Sequence, residues 1–403
     1  MALEDLLDTD HQARLVWDFC TGLDLQPLYE SIRSREGGPG RAAIDPRLCA
    51  ALWLYATSEG VGSARALAWL CSHHHAFRWL CGGVSVNHHT LSDFRVDHVD
   101  VLDRLLTHSV AVLREQDLVD LNRVAHDGMR VRASAGAASF HRRVTLEGCL
   151  AEAEDQVARL KEELEDDPAA PSRRHAAARE RAARERAERL QQALGRLPEL
   201  EARKKAGEKD KARASSTDAE ATVMKMADGG YRPAYNIEFG VATDSLVIAA
   251  VAVTTSGSDA GRITPLSDRI HDRHGVYPQE TLTDGGFVSL EDIESAQAPP
   301  RGTRVYAPVP EPKDPQRDRY TPLPGDGEQV REWRTRMGTE PAKAIYRERA
   351  STVECVNAQA RNRGLIRLLV RGRHKVQAVA LWFAIAHNLA CGMRLRAAAC
   401  RAG

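Results

Sequence analysis

Between residues 343 and 364 the sequence reads KAIYRERASTVECVNAQARNRG. On an ideal α-helix, residues seven apart return to within about 20° of one another. Arg347, Ser351, Glu354, Ala358 and Arg361 then share one stripe, an acid between two arginines with small residues filling in. A carboxylate flanked by guanidinium groups can bind a metal ion while the arginines hold phosphate. The neighbouring stripe of Ala350, Val353, Asn357 and Ala360 suits packing. An ordinary solvated helix with i,i+4 ion pairs fits the same letters. Two isolated aspartates upstream bear on that choice.

The first, Asp127, lies in VAHDGMRVRASA, where Met129, Val131 and Ala133 alternate with Arg130, Arg132 and Ser134. Strict alternation of this length predicts a half-buried strand, and the Asp-Gly pair within it marks a bulge or turn. Asp127 is then either a turn aspartate or a metal-binding carboxylate at a strand end. In the second case Arg130, Arg132, Arg142 and Arg143 are available to phosphates. The second aspartate, Asp284, closes the short strand of ETLTDGGF, and Gly285 and Gly286 let backbone approach a ligand closely. Strand carboxyl ends beside a crevice are where open α/β sheets keep their ligands. Two aspartates and a glutamate converging from distant segments are what a pair of Mg2+ ions needs. Such ions sit about 3.5–4 Å apart and activate the attacking and leaving oxygens of a phosphodiester. Hard oxygen ligands suit Mg2+ or Mn2+ and not zinc.

The elements that must position these residues follow from the pattern of the whole chain. With 43% apolar and 28% charged residues over 403 positions, the chain has a globular composition and room for two or three domains. No uninterrupted apolar run is long enough to span a membrane, and MALEDLLDTDHQ lacks a signal pattern, so a cytosolic protein is expected. The eight cysteines form no C-x2-C pair, which indicates neither a disulfide framework nor a zinc ribbon. His73, His74, His75, His88, His89 and His98, with Cys71 and Cys81, match no tetrahedral zinc spacing. Net charge is zero, yet no Asp or Glu follows Glu354 while arginines recur to Arg401, an asymmetry that suits a phosphate-facing surface. Arginine-rich codon usage is the plain alternative.

Residues 1–118 read as an all-helical region. Thr90 and Ser92 are a plausible helix N-terminus, and Arg95 lies near the start of a helix compatible with a helix-turn-helix DNA reader. A plain bundle fits nearly as well. Residues 119–145 begin an α/β domain, and 146–212 are a charged helical insertion, a hairpin turning at the Pro-Ala-Ala-Pro-Ser near 170. Residues 213–403 complete the α/β domain. Within them YNIEFGVAT and LVIAAVAVTT form an antiparallel hairpin, TRVYAPVP is a further strand, and basic helices end the chain.

In this order, HDGMRVRASAG, STDAEATVMK, YNIEFGVATD, LTDGGFVS and YRERASTVE closely resemble the DDE-type bacterial insertion-sequence transposases. RLVWDFCTGLDL and VNHHTLSDFR resemble the helical N-terminal domain of the same family. The resemblance implies an RNase H-like mixed sheet flanked by helices, and DNA cleavage at element ends followed by strand transfer. It implies two Mg2+ ions, replaceable by Mn2+, held by Asp127, Asp284 and Glu354. Tyr346, Arg349 and Arg361 fall on the family's residues around that Glu. It further implies terminal-repeat and target DNA as partners, a homodimer in synapsis, no membrane, and a bacterial, nucleoid-associated location. Departures are Glu238 where Gln is frequent, Gly285-Gly286-Phe287 where Ala-Gly-Tyr is usual, and Cys355-Val356-Asn357 where a Pro-Phe-Gly-like segment is common. A decayed copy that only binds element ends, or another metal nuclease of the same fold, is the competing expectation.

Overall fold

The computed structural model describes residues 3–30, 32, 43–166 and 170–402, with the side chains of 164–174 and 402 excepted. The helical N-terminal region comprises α1 (Gln12–Thr21), α2 (Gln26–Glu30), α3 (Pro46–Ser58), α4 (Ala64–His73), α5 (His75–Leu80), α6 (His88–Val96) and α7 (Val99–Glu115). Asp45 starts α3 by accepting a hydrogen bond from the Arg47 amide, with Pro46 at the first helical position. Helix α6 starts at His88 under an Asn87 cap, so Thr90 and Ser92 lie inside it and not at its entry. The preceding Asn, extended and with its side chain free to bond the His89 amide, is the better cap.

A mixed sheet follows. In chain order the strands are β1 (Arg123–Arg132), β2 (Phe140–His141), β3 (Ala214–Ser215), β4 (Thr222–Lys225), β5 (Tyr231–Ala242), β6 (Ile248–Thr254), β7 (Glu280–Leu282) and β8 (Arg304–Tyr306). β2 and β3 pair only with each other as a separate two-stranded sheet, and β4 pairs with the start of β5. β5 and β6 form the expected hairpin, antiparallel through Asn236↔Thr254 to Gly240↔Ala250. β5 pairs antiparallel with β1, β1 parallel with β7, and β7 parallel with β8. The order β6-β5-β1-β7-β8, three antiparallel strands followed by two parallel ones, is an RNase H-like mixed sheet.

Strand β1 runs through the Asp127-Gly128 pair without a break, Asp127 opposite Phe239 and Gly128 opposite Glu238. The bulge expected there lies instead between Gly240 and Val241, in the β5–β6 pairing. Asp127 is therefore mid-strand. Its parallel neighbour β7 pairs only with Arg123, Val124 and Ala125, so Asp127 stands just past the carboxyl end of β7.

Helices α8 (Arg143–Asp166) and α9 (Ala170–Ala202) form the insertion. Arg143–Glu201 and Glu154–Gln191 contacts make them antiparallel, around a thin seam of Leu146, Ala153, Ala187, Leu190, Ala193 and Leu197. Pro168 and Ala169 of the expected turn lie outside the described residues, while Ala170, Pro171 and Ser172 fall in α9. Around the sheet follow α10 (Ile263–His274), α11 (Leu290–Gln297), α12 (Glu328–Met337), α13 (Glu340–Arg349), α14 (Cys355–Asn362) and α15 (Arg373–Ala402). Length and composition would let α15 cross a membrane, but Gln377, His387 and Asn388 interrupt its apolar run and 83% of its most apolar window is buried in the protein. Asn388 within it exchanges hydrogen bonds with the Ile248 backbone of β6, and Trp382 donates to the Arg95 carbonyl of α6. The helical N-terminal region and the sheet thereby share one continuous apolar core.

Candidate active site

Four segments meet beyond the end of β7. β1 brings Asp127, half-buried, its Oδ1 accepting from the Gly128 amide at 2.8 Å. The loop after β7 brings Asp284, whose carboxylate caps a 3-10 turn through the Gly286 amide at 2.8 Å. The helical segment α13–α14 brings Arg349, Glu354 and Asn357. The loop between β6 and α10 brings Asp259, a carboxylate that the sequence pattern did not single out. Its Oδ1 accepts from Asn236 Nδ2 at 2.6 Å, and its Oδ2 from Arg130 Nη2 at 3.1 Å.

Gly128 is required here by close approach, since a Cβ on it would stand 2.7 Å from Asn236 Oδ1 and 2.9 Å from Asp259 Oδ1. That is why the strand carries glycine with no turn. Asp259 also explains the fate of Arg130, which is drawn into an ion pair. Signals for Asp259 were weak: Ser256-Gly257-Ser258-Asp259 reads as a turn.

The electrostatics are lopsided toward negative charge. Burial, and then the charge of Asp284, push the Asp127 carboxyl up to about 6, against the pull of Arg349. Burial likewise raises Asp259, with Arg130 and Asn236 opposing and Asp284 and Glu238 adding to the rise. Arg349 is the cation that links the carboxylates. Its Nη1 lies 3.7 Å from Asp127 Oδ2, and its Nη2 donates to Glu354 Oε1 at 2.5 Å. Its guanidinium also sits over the Tyr346 ring, 5.9 Å from the centroid. Burial works against its charge, and Tyr346, Asp127 and Glu354 more than offset that. Asn357 Nδ2 donates to Asp127 Oδ2 at 3.1 Å and leaves its own Oδ1, buried, without a hydrogen bond.

The contact between Arg349 and Glu354, five residues apart, depends on a π-helical turn over Ala350–Glu354. Such turns insert one residue into a helix and recur at functional sites. The extra residue breaks the seven-residue stripe, so Glu354 is partnered by Arg349 and not framed by Arg347 and Arg361. Arg361 is exposed on α14.

A transposase domain (DUF772) matches residues 1–97, and a transposase DDE domain matches residues 315–391. The second match takes in Tyr346, Arg349, Glu354, Asn357 and Arg361. The chain belongs to the insertion-sequence DDE transposases. No curated protein and no solved structure matches it. Asp127, Asp259 and Asp284 of this transposase lie between the two matched segments.

The remaining candidates fall in different places. Arg132 is exposed at the end of β1, where its backbone pairs with Ile366 and Leu368. Arg143 is held by Glu201 of α9 at 2.8 Å. Arg95, expected on a DNA-reading face, is turned inward. Its guanidinium lies over Trp53 at 4.6 Å and donates to the Gly62 carbonyl at 2.6 Å, and burial lowers it to about 10. The apolar face of α3 recruits it as a pillar between helices. Glu238, a departure from the family pattern, is buried and paired with Arg262 at 3.0 Å. Burial alone would raise Glu238, but His126 and Arg262 outweigh it and keep it below its ordinary value. Phe287, another departure, packs edge-on against His126 at 4.4 Å.

The donor chemistry fits hard divalent cations: carboxylates in excess and an amide oxygen on Asn357 without a hydrogen bond. Among the described residues the side chains are not drawn into a closed ligand set, because Arg349 stands between Asp127 and Glu354.

Proposed function

We propose that this transposase cuts the ends of its DNA element and joins them to target DNA by in-line attack on phosphodiesters, with Asp127, Asp284 and Glu354 holding Mg2+, or Mn2+ in its place. Bound there, two such ions supply the positive charge that activates an attacking oxygen and stabilises a leaving one. The protein's own part is orientation. Gly128 and Asn357 fix the two oxygens of Asp127, and the Gly286 amide fixes Asp284. Arg349, anchored by Tyr346, holds Glu354 and offers its remaining N–H donors to a DNA phosphate; Arg132 and Arg361, both exposed, add phosphate contacts that fix register without reading sequence. The observation that carries this reading is the Arg349 bridge, which ties Asp127, itself under the charge of Asp284, to a carboxylate more than two hundred residues later.

The test is a cleavage and strand-transfer assay on DNA carrying the repeats that flank the gene. Asp284→Asn is expected to lose joining and cutting by about a thousandfold or more, several kcal/mol of barrier, with DNA binding nearly intact. Collapse of binding together with cutting would make Asp284 a structural residue.

A further inference from the structure

One motif of the resemblance, Ser216–Lys225, touches none of the carboxylates above. It builds a second place. Where the hairpin joins the sheet, a pocket of about 340 Å3 is lined by His141, Cys149, Arg186, Arg189, Leu190, Ser216, Thr217 and Arg371. Three arginines, a histidine and two hydroxyls line it, and among the described residues no carboxylate does. We propose that this pocket binds a backbone phosphate of the DNA, so that the insertion grips the strand at its own root. The proposal rests on the reading of DNA as substrate.

The way the pocket is assembled supports this. The acids of the motif, Asp218 and Glu220, do not line the pocket and are engaged by other partners. Asp218 accepts from the Tyr235 hydroxyl at 2.6 Å and from the Gly372 amide at 3.2 Å, and Glu220 accepts from the Arg373 amide at 2.7 Å. Gly372, at φ +86°, makes the tight turn that these bonds hold. The motif thereby clamps the turn that carries Arg371 and leaves that side chain outside any ion pair among the described residues. Arg186 is equally unpaired, and Arg189 has only Glu185 of its own helix at 3.8 Å. Arg186 and Arg189, three apart on α9, share a face toward the pocket.

Planar guanidinium forks converging from two segments, with hydroxyl donors beside them, match the oxygens of a phosphodiester. An extended polyanion fits better than a small enclosed anion. Arg186 and Arg371 are exposed, and Arg367, Arg373 and Lys375 continue an exposed basic surface along the same strand of chain.

The test uses the full chain. Binding of element-end duplex is measured across about 50–200 mM salt for wild type, Arg186→Gln, Arg371→Gln and the double variant. Each phosphate contact contributes about 0.9 to the slope of log affinity on log salt. The double variant is expected to lower that slope by about 1 and to bind three- to tenfold more weakly at the low-salt end. In wild type, DNA is expected to slow alkylation of Cys149, read by peptide mass spectrometry, while the exposed Cys400 reacts at its usual rate. An unchanged slope overturns the proposal, as does weaker binding at unchanged slope or Cys149 labelling indifferent to DNA. A wild type that cuts and joins DNA while these readouts stay flat overturns the pocket alone. A wild type that binds no DNA overturns the pocket and the proposed function together.

Discussion

Arg123 and Asp127 are four residues apart on β1, and the same two neighbouring segments answer each of them in opposite ways. Around Arg123, β7 supplies Glu280 at 2.6 Å and α13 supplies Glu348 at 2.8 Å. Tyr306 and Arg304 complete the partners of Glu280. Every charge there has an opposite charge or a hydrogen bond. Around Asp127, the loop after β7 supplies a second acid, Asp284, and the next residue of α13, Arg349, must serve both Asp127 and Glu354. One junction is balanced and the other is not. The balanced one fastens β1, β7 and α13 together, and that fastening lets the unbalanced one keep an excess of carboxylate. Local charge frustration held by a satisfied scaffold is what a cation-binding reaction centre requires.

Of the changes that separate the two ends of β1, the largest expected effect comes from breaking the balanced junction. Arg123→Met leaves Glu280 and Glu348 without their shared cation in a partly buried place. Chemical unfolding should show a loss of about 2 kcal/mol, below the full value for a buried pair because water screens Glu348. If stability is unchanged, the cluster is ornamental and the fastening lies elsewhere.

Next is the cation that the two carboxylates share. Arg349→Lys keeps the charge but replaces a planar fork with a point charge that cannot span Asp127 and Glu354 at once. Cutting is expected to fall roughly tenfold, about 1.4 kcal/mol, with stability within the scatter of surface substitutions. Equal activity in the lysine variant would reduce Arg349 to a general source of positive charge.

How much of this could be read in advance depended on the range of the interaction. The alternation from Met129 to Ser134 announced β1, and the hairpin of β5 and β6 followed from two β-rich runs. Asp284 at the end of ETLTD was equally plain, since a strand pattern that stops at Asp-Gly-Gly is a local signal. Asp259 was hidden because a Ser-Gly-Ser-Asp loop looks like any turn; only Asn236 of β5 and Arg130 of β1 give it a role. The π-helical turn was hidden for a related reason. No residue type encodes an i+5 bond, so an ideal helix paired Glu354 with Arg347 and Arg361 when the fold pairs it with Arg349. Arg95 misled in the other direction: an arginine near a helix end looks like a DNA contact until Trp53 is seen beneath it.

The smallest expected effect is the most direct measure of the imbalance. Asp127 in the folded chain holds its proton up to about pH 6, against an ordinary value of 3.8. A folded-state pKa above the unfolded one means that the folded chain binds the proton more tightly. Between pH 4 and 6, acid therefore favours the folded state at this site, and above pH 6 the ionised carboxylate carries its full penalty. Asp127→Asn removes that penalty while keeping an acceptor for the Gly128 amide. In metal-free buffer at pH 7.5 the variant should melt a few degrees higher than wild type, about 1 kcal/mol, with the gap closing as the pH is lowered toward 4. Mg2+ should raise the melting temperature of wild type and leave that of the variant almost unmoved. A variant less stable than wild type at pH 7.5 would mean that Arg349 already balances Asp127, and the contrast between the two ends of β1 would then be one of geometry and not of charge.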